Sequence, residues 1–187
     1  MYDIAIIGGG PAGASAAIFT AKAGKKTLVI DSDQSVTKRA WVENHYGADG
    51  IAGPDLVAVG KGQATKFGAE FVTGKATKLM AAEGFITIET DGETYEAKHV
   101  ILATGLFVEV AEASGIRTVP GTEPRIKTIV ECNPEGKTSI DNVWVAGTAA
   151  GVSMHTIITA GDGAKVAINV ISEIDGARYV DHDVLKI

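Results

Sequence analysis

Apolar and polar positions divide the chain into short, well-separated elements. Ile4-Ala5-Ile6-Ile7 is an unbroken apolar run, as expected of a parallel strand buried on both faces. Gly8-Gly9-Gly10-Pro11-Ala12-Gly13 follows, then a helix-favouring stretch from Ala14 to Ala23. Pro11 suits the first helical turn, where its missing N–H is no loss, and Gly24 suits the residue that ends a helix. Thr27-Leu28-Val29-Ile30 is a second apolar strand, closed by Asp31. Strand, glycine turn, helix and strand in so short a span predict a right-handed βαβ unit.

Residues 32–53 are polar and irregular. Gly53-Pro54-Asp55 predicts a helix running to about Phe67, with Leu56, Val57, Ala64 and Phe67 apolar. Gly60 and Gly62 weaken it by about 1 kcal/mol each relative to alanine, so tertiary contacts must hold it. Alternating segments at 70–73, 76–81, 85–90 and 94–97 predict an antiparallel meander, with Asp91-Gly92 as a type I′ turn. His99–Ala103 and Asn142–Ala146 read as buried strands, ending in Thr104-Gly105 and Gly147-Thr148. Between them, Pro120, Gly121, Pro124 and Pro134 mark loops. A long helix is predicted from about His155 to Ile174, followed by a surface tail over 175–187.

Composition narrows the function. A chain of 187 residues fits one domain with a core that needs no metal or disulfide staple. Net charge is 17 − 23 = −6 with no Lys/Arg cluster, which argues against nucleic acid. No apolar run is long enough to span a membrane, and the strand-like start lacks a basic leader, so the expected location is cytoplasmic. Cys132 alone forms no internal disulfide, CxxC pair or thiolate zinc site. His45, His99 and His182 lack ligand spacing, so no metal site is expected. The 23 glycines fall in clusters, which points to tight turns and close backbone approach.

Gly8-x-Gly10-x-x-Gly13 stands between a strand and a helix, with an acid closing the next strand, the context in which this spacing carries meaning. Gly8 permits the tight turn, Gly10 leaves room for a pyrophosphate, and Gly13 lets helix and strand pack closely. Unpaired amides at the helix start, after Pro11 and Ala12, favour negative charge. Asp31 would accept hydrogen bonds from ribose hydroxyls and disfavour a 2′-phosphate. NAD and FAD both satisfy these requirements. An NAD domain continues in further βα repeats, whereas this chain turns to a meander before its next parallel strand.

That order resembles the FAD domain of the flavoprotein disulfide reductases, and within them the low-molecular-weight thioredoxin reductases. Residues 1–106 resemble the first FAD segment through the glycine turn at 8–13, Val42-Glu43-Asn44 and Ala103-Thr104-Gly105. Thr65-Lys66-Phe67-Gly68-Ala69-Glu70 is similar to the end of the family's second helix. Residues 126–174 resemble the second segment through Ser139–Gly147 and Ile158–Ala164. The resemblance implies an α/β, Rossmann-like FAD-binding domain with a central parallel sheet and a small antiparallel meander, joined by a short connector at 107–125.

It further implies FAD contacts from Gly8, Gly10, Pro11, Ala12, Gly13, Asp31, Asn44, Thr104, Gly105, Gly147, Thr148, His155 and Thr156. The last helix would point its start at the flavin pyrimidine edge, with His155 a candidate proton donor. Two departures stand out. No NADPH domain, second glycine fingerprint or CxxC lies between the two segments, and Thr148 stands where the family has an aspartate. These features predict an oxidoreductase exchanging electrons with an external donor or partner reductase, or alternatively a non-catalytic flavin-binding or interaction module. An uncovered apolar face predicts a homodimer.

Overall fold

The computed structural model describes residues 1–185. β1 (Tyr2–Ile7), α1 (Pro11–Lys22) and β2 (Thr27–Asp31) form the expected parallel unit, with Ile4 to Ile7 beside Thr27 to Ile30. Gly24, in the left-handed region, ends α1 and turns the chain toward β2. The polar stretch after β2 is more ordered than its composition predicts. It holds a 3-10 turn at Val36–Arg39 and a two-stranded ribbon of β3 (Trp41–Val42) and β4 (Ile51–Ala52). The helix predicted from Gly53 is α2 (Gly53–Lys66).

The meander differs from expectation at both ends. β5 (Glu70–Thr73) is not part of it: it runs parallel to β2, carried there by the α2 crossover, and forms the edge of the parallel sheet. The antiparallel strands are β6 (Ala76–Ala82), β7 (Phe85–Thr90) and the first part of β8 (Thr94–Leu102). The two segments expected at 94–97 and 99–103 are this single strand. One edge of β8 pairs with β1. The other pairs with β7 over Thr94–Ala97 and with a later strand over Val100–Leu102.

The turn at Asp91-Gly92 is not type I′, since neither residue has the positive φ that type requires. Thr90 closes a four-residue loop instead, its hydroxyl oxygen accepting the amides of Gly92 and Glu93. Asp91 meanwhile exchanges hydrogen bonds with the backbone of Lys75, tying the loop to the start of β6.

The connector holds a short helix absent from the sequence expectation, α3 (Glu109–Ala113), packed on β6. After it, β9 (Thr118–Pro120) and β10 (Thr128–Val130) form an antiparallel pair. β11 (Val143–Val145) then joins β8 in parallel, and α4 (Thr156–Asp175) lies against α1. The central sheet is therefore mostly parallel, in the order β5-β2-β1-β8-β11, with β7 and β6 branching antiparallel from β8.

Its two faces carry separate apolar layers. Ile4, Ile6, Val29, Ile101 and Trp144 pack on α1 and α4, while Ala5, Leu28, Ile30, Val100 and Val145 pack under the meander and α3. The tail returns over α1, where Lys22 pairs with Asp181 at 2.9 Å and Asp183 at 2.5 Å. Lys186 and Ile187, the end of the predicted tail, lie outside the described residues. No described helix is long and apolar enough to cross a membrane.

Candidate functional site

The parallel strands all end on one side, and a crevice of about 390 Å³ runs along that edge. Ligands of α/β sheets bind at such carboxyl ends. Gly8 to Ala12 form its floor, with Asp31, Ser35 and Thr37 on one side and Lys75, Ala76 and Thr77 beyond them. Thr104, Gly105, Leu106 and Phe107 pass over it, joined by Glu109, Val110 and Ala113 from the connector. Ala146, Thr148, Met154 and Thr159 complete the far end.

The near end is built from backbone. Gly10 precedes α1 in extended conformation, no side chain caps the helix, and no acid occupies its first turn. The amides of Ala12 and Gly13 therefore have no intrahelical acceptor, and the positive end of the helix is open to the crevice. The three fingerprint glycines do different things. At Gly8, with φ +105°, a Cβ would overlap the Ala103 carbonyl oxygen; at Gly13 it would overlap the Gly8 carbonyl oxygen. At Gly10 a Cβ would meet only the Ser35 side chain, with the hydroxyl nearest at 3.0 Å. Gly13 packs helix on turn without lining the crevice, while Gly8, Gly10, Pro11 and Ala12 line it.

Gly9, which the spacing does not single out, makes room for the acid: its Cβ would lie 2.6 Å from Asp31 Oδ2. Asp31 ends β2, and its Oδ1 accepts the Asp33 amide at 3.1 Å. Asp33 is ion-paired with Lys38, which holds its carboxyl below the usual range.

Side chains build the far end. After β11 the chain turns at Gly147, φ +75°, into a 3-10 turn that sets Thr148, nearly buried, into the crevice. The Gly147 amide donates to Asp162 Oδ2 at 2.8 Å, and Asp162 Oδ1 lies 2.6 Å from Lys165 Nζ. Thr159, one turn earlier on α4, lines the crevice. His155 is the residue preceding α4; its Nδ1 lies 2.8 Å from the Ser153 hydroxyl.

Asn44, Gly147, His155 and Thr156 do not line the crevice. Thr156 Oγ1 lies 2.9 Å from His45 Nδ1, which draws the loop of residues 43–49 onto the start of α4. That loop, with Asn44, bounds a separate shallow depression. Met154, adjacent to His155, reaches the crevice instead.

Asp162, Thr159, Met154 and the α3 wall were not anticipated from sequence. An acid beside the buried stripe Thr159-Gly163-Val166-Val170 is the one signal that could have found Asp162. Cys132 is half-buried against the core, and burial pushes its thiol up. Among the described residues no cluster of three His, Cys, Asp or Glu could hold a metal.

The family model for pyridine nucleotide-disulphide oxidoreductases matches residues 2–129. A thioredoxin reductase of Listeria monocytogenes is 36% identical over 124 residues, covering 65% of this chain and 39% of that protein. One from Aquifex aeolicus is 43% identical over 122 residues, 62% of this chain and 37% of its own. The chain thus spans well under half the length of these relatives. Among solved structures, a thioredoxin reductase from Gloeobacter violaceus superposes with TM-score 0.84 at 15% identity, covering 98% of this chain and 99% of that one. The atypical thioredoxin reductase TRi from Desulfovibrio vulgaris Hildenborough gives 0.83 at 19%, covering 94% and 99%.

Proposed function

The chain belongs to the pyridine nucleotide-disulphide oxidoreductase family, and on that premise we propose that it is a single FAD-binding domain that exchanges electrons with an external donor or partner protein. The observation that carries this reading is the near end of the crevice, where open helix amides, a glycine without obstruction and the Asp31 carboxylate lie together. A dinucleotide fits that set: the Ala12 amide at the open start of α1 would take the pyrophosphate, and Asp31 the adenosine ribose hydroxyls. Thr148 would offer its hydroxyl to the ribityl chain, with Thr159 and half-exposed Met154 lining the same end. When bound, the flavin supplies reversible uptake of electrons; the protein supplies binding, orientation and field.

The thioredoxin reductase names of its relatives support electron exchange with a thiol partner. Between Gly105 and Ile126 lie only α3 and β9, so the donor or acceptor acts from outside this connector. Exposed Trp41, Tyr46, Met154 and Ile158 offer a contact surface beside the far end, for a second copy of the chain or for an electron-transfer partner. Thr148 supports a second reading, a non-catalytic flavin-binding or interaction module, because a hydroxyl holds a ribityl chain less firmly than a carboxylate.

The test is optical. Protein incubated with FAD and freed of excess should retain a flavin spectrum in stoichiometric amount, and NADH, NADPH or a reduced partner should bleach it. A colourless protein would overturn the reading. Bound flavin that no donor reduces would favour the binding module.

A further inference from the structure

We infer that Asp162 is a positioning residue for the far end of the crevice: by accepting the Gly147 amide, its carboxylate fixes the turn that aims Thr148 at the flavin. The inference rests on the flavin reading above. Asp162 touches no part of the crevice itself. It sits on α4, nearly buried, fifteen residues along the chain from the amide it accepts.

A buried carboxylate is costly unless it is paired and hydrogen-bonded, so its presence needs a compensating role. Lys165 offsets its charge from the solvent side, and Gly147 takes the other oxygen at 2.8 Å. Gly147 has little freedom to find another arrangement. Its Cβ position is 2.8 Å from Ala12 Cβ, so the turn is pressed against the start of α1. At the next residue of α4, Gly163, a Cβ would overlap the Ala12 carbonyl oxygen. One turn of α4 therefore grips both the phosphate end, through Ala12, and the ribityl end, through Gly147. Without the carboxylate, the Gly147 amide would be left buried and unpaired, and Thr148 would lose its fixed direction.

The experiment measures FAD affinity by flavin fluorescence, together with unfolding of the FAD-free protein, for wild type, Asp162→Ala and Asp162→Asn. Asparagine keeps an acceptor for Gly147, and half-exposed Lys165 can swing into solvent. Asp162→Ala should weaken FAD binding about tenfold or more, and the visible circular dichroism of the bound flavin should change. Asp162→Asn should bind within about threefold of wild type. Amide exchange at Gly147 should be slow in wild type and Asp162→Asn. Wild-type-like binding by Asp162→Ala, or an equal loss in Asp162→Asn, would overturn the inference. If Asp162→Ala does not fold, the asparagine variant and Gly147 exchange decide, and fast Gly147 exchange in wild type overturns it. Failure of wild type to take up FAD would instead strike the flavin reading, with Gly147 exchange still deciding whether Asp162 holds the turn.

Discussion

The two ends of the crevice are made by different means. At the near end the groups that would meet a ligand are peptide amides, and their placement follows from four glycines within six residues and one acid at a strand end. At the far end they are side chains, Thr148, Met154 and Thr159, held by contacts between segments far apart in sequence. A backbone-built site is rigid and tolerates little change, because its neighbours are carbonyl oxygens that cannot move aside. A site built from side chains can be altered one group at a time. The first end should fail as a unit and the second by degrees.

The largest expected effect lies at Gly13. A Cβ there collides with the Gly8 carbonyl oxygen, and α1 can relieve the clash only by lifting off the strand. Gly13→Ala should cost about 2–3 kcal/mol of stability, within the range for overpacked interiors, and abolish FAD binding. Gly10→Ala makes the contrast. Its Cβ meets only the movable Ser35 side chain, so the fold should survive with little loss while the methyl group crowds the pyrophosphate. Chemical unfolding and FAD titration of both variants measure the difference. Equal stability losses would erase the distinction between a packing glycine and a binding glycine.

The same contrast explains what the sequence discloses. β1, α1 and β2 are legible because each depends on neighbours a few residues away: an apolar run, a proline at a helix start, a glycine at its end. β5 is not. Its alternation suits an antiparallel strand as well as the edge of a parallel sheet, and only α2 lying across the face decides between them. β8 reads as two strands because its polar first half faces the meander and its apolar second half the core, yet the backbone never breaks. Asp91-Gly92 carries the strongest local hairpin signal in the chain, and Thr90 overrides it by capping the loop with its own hydroxyl. At the far end, the resemblance implies FAD contacts from Asn44 and His155, which lie outside the crevice, and the contact between His45 and Thr156 beside them is one that no spacing rule predicts.

An intermediate effect is expected at Thr148. Thr148→Val keeps the shape and removes the hydroxyl from a nearly buried position where it has no hydrogen-bond partner among the described residues. The variant should fold as well as wild type and bind FAD about fivefold more weakly, the loss of one hydrogen bond to the ribityl chain. Unchanged affinity would mean that the near end alone holds the cofactor. A loss as complete as that of Gly13→Ala would mean that the two ends do not act independently.

The smallest effect concerns the strand beneath the far end. His99 directly precedes the stretch of β8 that seats β11, and its buried Nδ1 has no partner among the described residues. Burial lowers its pKa below the ordinary 6.5; Glu173 and Asp3 oppose this weakly, while Lys137 and Lys98 reinforce it. A histidine depressed in the folded state stays neutral there while the unfolded chain takes up a proton. Its stability contribution is thus present above 6.5 and is lost as pH falls through the lowered folded value. Between about pH 7 and pH 5 the unfolding midpoint of wild type should drop more than that of His99→Leu, which has no proton to gain. If acid loosens the seat of β11 before the rest of the sheet, amide exchange at Gly147 should quicken over this range while that at Ala14 stays slow. Equal quickening at both would place His99 in the stability of the whole domain rather than of its far end.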